Sequence, residues 1–249
     1  MTALRLLRLC LHLCRGLLIC AFGFPWMDGT ARSQQIQRWS ARLVAICGIR
    51  VDVRMAPGLR PADRALIVSN HVSWLDIFII NTVLPCRFVA KSDIRNWPAI
   101  GWLCMKAGTI FIARGSVRDV RRIFEHLVVA LRSGEHVAFF PEGATARPGT
   151  LLPFHANLFE AAIDAGVPIQ PFALQYLNGD GALHEAADFS GDISFVQSAL
   201  AIVRARNITA QLVMLPAIAT EGAHRRALAD SVREVIGGVL GYCEDQPGI

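Results

Sequence analysis

The chain has 249 residues, 53% of them apolar and 18% charged, with no internal repeat or low-complexity tract; that is ample for one large buried core and excludes a disordered chain. Lys+Arg 25 against Asp+Glu 20 leaves a formal net charge of +5, an excess that suits anionic lipid surfaces or phosphorylated substrates and, without a dense basic run, argues against a nucleic-acid partner. Seven cysteines, an odd number with no Cys-x-x-Cys, make neither a disulfide framework nor a zinc site and read as small apolar fillers in a reducing compartment.

Residues 4 to 24 predict a helix. Arg5, Arg8, His12 and Arg15 recur at intervals of three, four and three, so they share one stripe, while Leu, Ile, Cys and Phe fill the remaining faces. The expectation is a helix in the membrane interface with its basic stripe against lipid phosphates. A span needs about 20 apolar residues. The uninterrupted run from Gly16 to Phe24 is shorter, and Arg15 near the middle would cost roughly 2.5 kcal/mol or more. A single-pass anchor stays open, as does a signal peptide, for which Ala21-Phe22-Gly23 is a passable small-x-small site. Pro25 ends the segment. A second helix is predicted from Ser33 to about Cys47, with Ile36, Trp39, Leu43, Val44 and Ile46 toward one face and Arg38 and Arg42 on the other. Residues 1–48 therefore read as a membrane-associating helical hairpin ahead of a domain at 49–249, although the same pattern also fits plain packing against that domain.

From Ile49 the period changes to two, as in a half-buried strand. Ala65 to Ser69 is a short apolar strand that ends in Asn70-His71-Val72-Ser73-Trp74-Leu75-Asp76, and Leu75, Ile77, Phe78 and Ile80 at helical spacing follow. Arg87 to Ala90 predicts a strand with Lys91 at its end, Trp97 to Ala107 a short helix, and Thr109 to Ile112 a strand with Arg114 just beyond it. Ser116 opens a helix to about Arg132. Val137 to Phe140 is a strand running into Pro141-Glu142-Gly143-Ala144-Thr145; Phe154 to Ala165 is a helix and Pro168 to Tyr176 an apolar strand. Residues 178 to 191 form a loop that lines the site, Asp192 to Arg206 a helix, Ile208 to Leu215 a last strand and Gly222 to Leu240 a closing helix, with a loose tail. Strands alternating with helices indicate an αβα sandwich with a largely parallel sheet.

Open α/β sheets bind ligands at the carboxyl ends of their strands, which is where His71 falls. A spacing of five does not make two residues helical neighbours, so His71 belongs in the turn and Asp76 in the helix, with the carboxylate reaching back to one ring nitrogen. The other nitrogen then faces outward as a general base. Taken alone, the pair fits a capping turn around a satisfied histidine equally well. The second turn, at Glu142, Gly143 and Thr145, supplies a carboxylate, a glycine that lets backbone amides approach an anion, and a hydroxyl.

Together these two stretches resemble the glycerolipid acyltransferase superfamily, the lysophosphatidate acyltransferases in particular. Lys91-Ser92-Asp93-Ile94 with Pro98, Gly101 and Gly108 to Arg114 resembles that family's second block, and Val167-Pro168-Ile169-Gln170-Pro171 its fourth, so four blocks stand in order over residues 65 to 175. The third block departs from the usual Pro-Glu-Gly-Thr-Arg-Ser, because Thr145 arrives one residue late and Arg147 two. That variant looks more like a bacterial branch that includes acyltransferases of lyso-ornithine lipid.

The resemblance implies transfer of a fatty acyl group from acyl-CoA or acyl carrier protein to the free sn-2 hydroxyl of 1-acyl-glycerol-3-phosphate, giving phosphatidic acid, with His71 and Asp76 catalytic. Lyso-ornithine lipid is the alternative acceptor, and a non-catalytic membrane-binding module of the same fold is a remoter reading. Arg114 is implied to contact the acceptor phosphate, with Lys91, Glu142, Gly143 and Thr145 also at the substrate; Glu142 is expected to pair with Arg114, Lys91 or Arg147. Cytosolic donors place the enzyme at the inner membrane facing the cytoplasm, against a signal peptide. No metal or organic cofactor is implied. No Gly-x-Ser-x-Gly is present, which argues against a lipase.

Overall fold

The computed structural model describes residues 2–112 and 117–242. Arg114, the Ser116 cap and the expected loose tail lie outside the described residues. Seven strands form one sheet in the order β1-β7-β6-β2-β5-β3-β4. They are β1 (Ile49–Met55), β2 (Leu66–Ser69), β3 (Arg87–Lys91), β4 (Ile110–Ile112), β5 (Val137–Phe139), β6 (Ile169–Leu177) and β7 (Ile208–Met214). All neighbours run parallel except β6 and β7, which are antiparallel. The sheet is therefore a parallel block, β6-β2-β5-β3-β4, with the β7-β1 pair reversed at one edge.

Helices cover both faces. Strand β2 shows why, because Leu66 and Val68 enter one apolar core while Ile67 enters the other. A strand buried on both sides reads as a continuous apolar run. On the Ile67 side the core is closed by α2 (Gly29–Cys47), α3 (Asp76–Val83) and α7 (Phe195–Arg204), through Leu43, Ile79 and Ile202. On the other side α5 (Val117–Arg132), α6 (Phe159–Ala165) and α8 (Arg225–Leu240) contribute Leu127, Phe159 and Leu228. The remaining helix of the parallel block, α4 (Ile100–Lys106), follows a 3₁₀ turn at Ser92–Asn96.

Several elements begin elsewhere than their periodicity suggests. Helix α2 starts at Gly29, ahead of Ser33, because the Asp28 carboxylate caps it by accepting from Ala31 N at 2.7 Å. Helix α7 starts at Phe195, where Ser194 and Gln197 form a reciprocal capping box. The expected helix from Phe154 opens instead as a 3₁₀ turn at Ala156–Leu158 before α6. Between β5 and that turn the chain is irregular, so the Glu142 turn leads into a long loop rather than into a helix.

The amino-terminal segment is a continuous helical run, with α1 (Thr2–Leu18) passing into a π turn at Ile19–Gly23 and a 3₁₀ turn at Phe24–Trp26. The 25 residues Thr2–Trp26 are long and apolar enough to cross a membrane. The expected basic stripe is not presented as a unit. Arg5 turns inward and donates to Val203 O and Ala205 O, both at 3.1 Å, satisfying carbonyls at the end of α7. His12 is buried, stacked on Trp39 at 4.6 Å and hydrogen-bonded to Trp39 O at 2.9 Å. Gly16 allows this crossing, since a Cβ there would meet the Trp39 indole at 2.8 Å. What faces outward is apolar: Leu7 (56% exposed), Leu18 (58%), Phe22 (72%) and Trp26 (89%), with Arg8 and Arg15 exposed beside them. The second helix of the hairpin belongs to the domain core, because Leu43, Val44 and Cys47 pack against the sheet, while Arg38 and Arg42 stay exposed.

Candidate active site

His71 follows β2, and Glu142 follows the adjacent parallel strand β5, in a register that sets Val68 beside Phe139. The first and third sequence blocks therefore meet at the carboxyl end of the sheet. Strand β2 ends at Ser69, and the side chain of Asn70 just past it extends the ladder to β6: Nδ2 donates to Leu174 O and Oδ1 accepts from Leu174 N, both at 2.8 Å. With both carboxamide ends engaged, this residue fixes where the next one begins.

His71 Nδ1 lies 2.8 Å from Asp76 Oδ2, and the imidazole is 19% exposed whereas the carboxylate is fully buried. Asp76 is the first residue of α3, so the turn between strand and helix folds its carboxylate back over the chain. Oδ2 also accepts from Val72 N at 2.7 Å and Ser73 N at 2.9 Å, and Oδ1 accepts from Tyr176 Oη at 2.6 Å. A carboxylate offers only acceptors, so Nδ1 carries the proton and Nε2 keeps its lone pair. Nε2 makes no hydrogen bond among the described residues. The ring stacks flat on Phe140, 3.9 Å between centroids and 6° between planes, which prevents it from turning. This arrangement can take a proton from a hydroxyl brought to the rim.

Glu142 is buried, with Oε1 accepting from His71 N at 2.7 Å and Oε2 from Leu152 N at 2.8 Å. His71 O in turn accepts from Ala146 N at 2.7 Å. Both backbone groups of the histidine are thus held by the third block, so Glu142 acts through His71. From α8, Arg233 donates to Leu151 O and Leu152 O at 3.3 Å, steadying the segment that supplies the second amide. Burial pushes the Glu142 carboxyl up to about 7; the Leu152 and His71 amides oppose this, Asp76 adds to it, and Arg233 opposes it.

The other expected contacts are distributed unevenly. Gly143 is exposed at φ +69, a left-handed conformation that favours glycine, and its own N–H is used within the turn, donating to Phe140 O at 3.1 Å. Thr145 turns away from the rim and donates to Phe189 O at 2.6 Å, tying the third block to the loop at 178–191. The late hydroxyl is thereby a tether for that loop. Lys91 ends β3, exposed, beside Ile112 of β4 and on the same carboxyl edge as His71. Sequence reasoning missed Asn70, Phe140 and Tyr176. Only Tyr176 left a signal, because a tyrosine inside an apolar strand must find a partner for its hydroxyl.

A family profile described as Acyltransferase matches residues 50–175, the stretch that holds both turns. The chain is also 36% identical over 213 residues to the lyso-ornithine lipid O-acyltransferase of Pseudomonas aeruginosa, covering 85% of this chain and 81% of that one. It belongs to the acyltransferase family. A second relative of this acyltransferase is the 1-acyl-sn-glycerol-3-phosphate acyltransferase of Neisseria gonorrhoeae, 37% identical over 195 residues and 76% of each chain. In fold, the acyltransferase resembles the crystal structure of the 1-acyl-sn-glycerophosphate acyltransferase of Thermotoga maritima, with a TM-score of 0.67 over 100% of both chains at 20% identity.

Proposed function

We propose that this acyltransferase moves a fatty acyl group from an acyl-CoA or acyl-carrier-protein thioester to the free sn-2 hydroxyl of 1-acyl-glycerol-3-phosphate, giving phosphatidic acid. The observation that carries the chemistry is the His71 imidazole, protonated at Nδ1 by its bond to Asp76 and unengaged at Nε2. Nε2 takes the hydroxyl proton while the oxygen attacks the thioester carbonyl. The tetrahedral intermediate collapses, the C–S bond breaks, and the departing thiolate receives the proton from the imidazolium. The thioester supplies the activation, so no metal or organic cofactor enters. Lys91 on the same edge suits an acceptor phosphate, and Arg114 is assigned with it.

A second acceptor has its own support. Thr145 stands one residue late in the third block, and the Pseudomonas relative is named for lyso-ornithine lipid. The chemistry would be identical, with the cations meeting an amino-acid carboxylate. Offering 1-acyl-glycerol-3-phosphate and lyso-ornithine lipid side by side to the purified protein decides between them. Product from the glycerol phosphate acceptor at ten times the rate or more is the expected result; product from the ornithine lipid alone would replace the acceptor and keep the mechanism.

The apolar outward face from Leu7 to Trp26 suits a helix lying in the interface of the inner membrane. Its other side is fastened to the domain by Arg5 and His12, which keeps the rim at the cytoplasmic surface where both donors are found. The double substitution Leu7→Glu, Leu18→Glu should lower co-flotation with anionic liposomes at least fivefold while sparing turnover in detergent. Unchanged flotation would place the membrane contact elsewhere.

A further inference from the structure

We infer that Tyr176 is a positioning residue of the acyl-transfer site, its phenol holding the Asp76 carboxylate in the one orientation that keeps Oδ2 on His71 Nδ1. The inference rests on the reading of His71 as the general base.

Four donors converge on Asp76, and they divide unequally. Oδ2 accepts from His71 Nδ1, Val72 N and Ser73 N, whereas among the described residues Oδ1 accepts from Tyr176 alone, at 2.6 Å. The carboxylate is fully buried, so no solvent donor substitutes for the phenol. Without that bond, Oδ1 is a buried acceptor with nothing to accept, and rotation about Cβ–Cγ to exchange the oxygens competes with the working arrangement. Tyr176 is 1% exposed and comes from β6, a hundred residues further along the chain.

The direction of the bond is not in doubt chemically. Burial, and next the Asp76 charge, hold the phenol well above its ordinary range, so it stays protonated and donates. Among the described residues, Cys47 from α2 bears on the phenol, and His71 and Glu142 from the turns after β2 and β5 bear on Asp76. The phenol also withdraws charge from the carboxylate. Removing it changes the charge that the His71 Nδ1–H proton meets.

Tyr176→Phe removes one oxygen and little volume. Full-length protein in detergent, with acyl-CoA and the acceptor that it uses, should show kcat lowered about tenfold with KM within about twofold, since an oriented base acts in the transition state. The downfield proton resonance of His71 Nδ1–H should shift and broaden. A variant that melts lower but keeps the wild-type kcat and Nδ1–H resonance would overturn the inference and leave Tyr176 a packing residue. Should His71→Ala retain wild-type turnover, the reading of the base fails instead, while the Nδ1–H resonance of Tyr176→Phe still reports whether the phenol orients the pair.

Discussion

His71→Ala should lower kcat about a thousandfold, within the range spanned by a general base, while KM for acceptor and donor changes little. The ring is not required for the fold. Asp76 would retain three donors, Val72 N, Ser73 N and Tyr176 Oη, so the turn keeps its shape and thermal stability should change by no more than about 1 kcal/mol. Single-turnover acyl transfer alongside a melting curve separates the two effects. Residual activity near wild type in a folded protein would remove His71 from the chemistry.

The second large effect belongs to Glu142, and it falls on stability and rate together. Glu142→Ala leaves His71 N–H and Leu152 N–H without their acceptors. A buried unmatched donor costs about 1–3 kcal/mol, and at about 2–4 °C per kcal/mol for a chain of this size the melting temperature should fall by roughly 10 °C. The turn bearing His71 loses one of its two fastenings, so kcat should fall about a hundredfold as well. Glu142→Gln should lie between, because a carboxamide oxygen can satisfy one amide while its NH₂ confronts the other.

The ionisation of Glu142 adds a pH signature. With the carboxyl raised from 4.5 to about 7, the folded protein holds a proton that the unfolded chain has released. The contribution to stability is fully present below pH 4.5, is lost as pH rises to about 7, and is constant above that. Urea unfolding across that window should therefore show a steeper decline for the wild type than for Glu142→Gln. Parallel slopes would mean that the two amide bonds keep the carboxylate ionised throughout.

How much of this was legible beforehand differs from residue to residue. The pairing of His71 with Asp76 was readable because strand, turn and helix all lie within one short stretch, where local geometry follows from residue type. Glu142 was recognisable as special, but its hydrogen-bond partners are backbone N–H groups on two other segments, and every non-proline residue carries one, so no residue type pointed to them. The acceptor of Thr145, the carbonyl of Phe189, was hidden for the same reason. The antiparallel pairing of β6 with β7 left no trace in composition, since both strands are buried.

The amino-terminal helix marks the boundary most clearly. Periodicity correctly placed Arg5, Arg8, His12 and Arg15 near one side of a helix, but it is silent on which side meets protein. Trp39 and the end of α7 decided that, drawing Arg5 and His12 inward and leaving the leucines outside. By itself the sequence determined the alternation of strands and helices, the family and the turn that pairs His71 with Asp76, because these depend on side-chain periodicity and on spacings of a few residues. Only the tertiary structure decided what orients that turn: Glu142 on its backbone, Phe140 on its ring and Tyr176 on its carboxylate. Those contacts join residues about seventy to a hundred apart, and a hydrogen bond across such a separation exists only once the sheet has brought β2, β5 and β6 side by side.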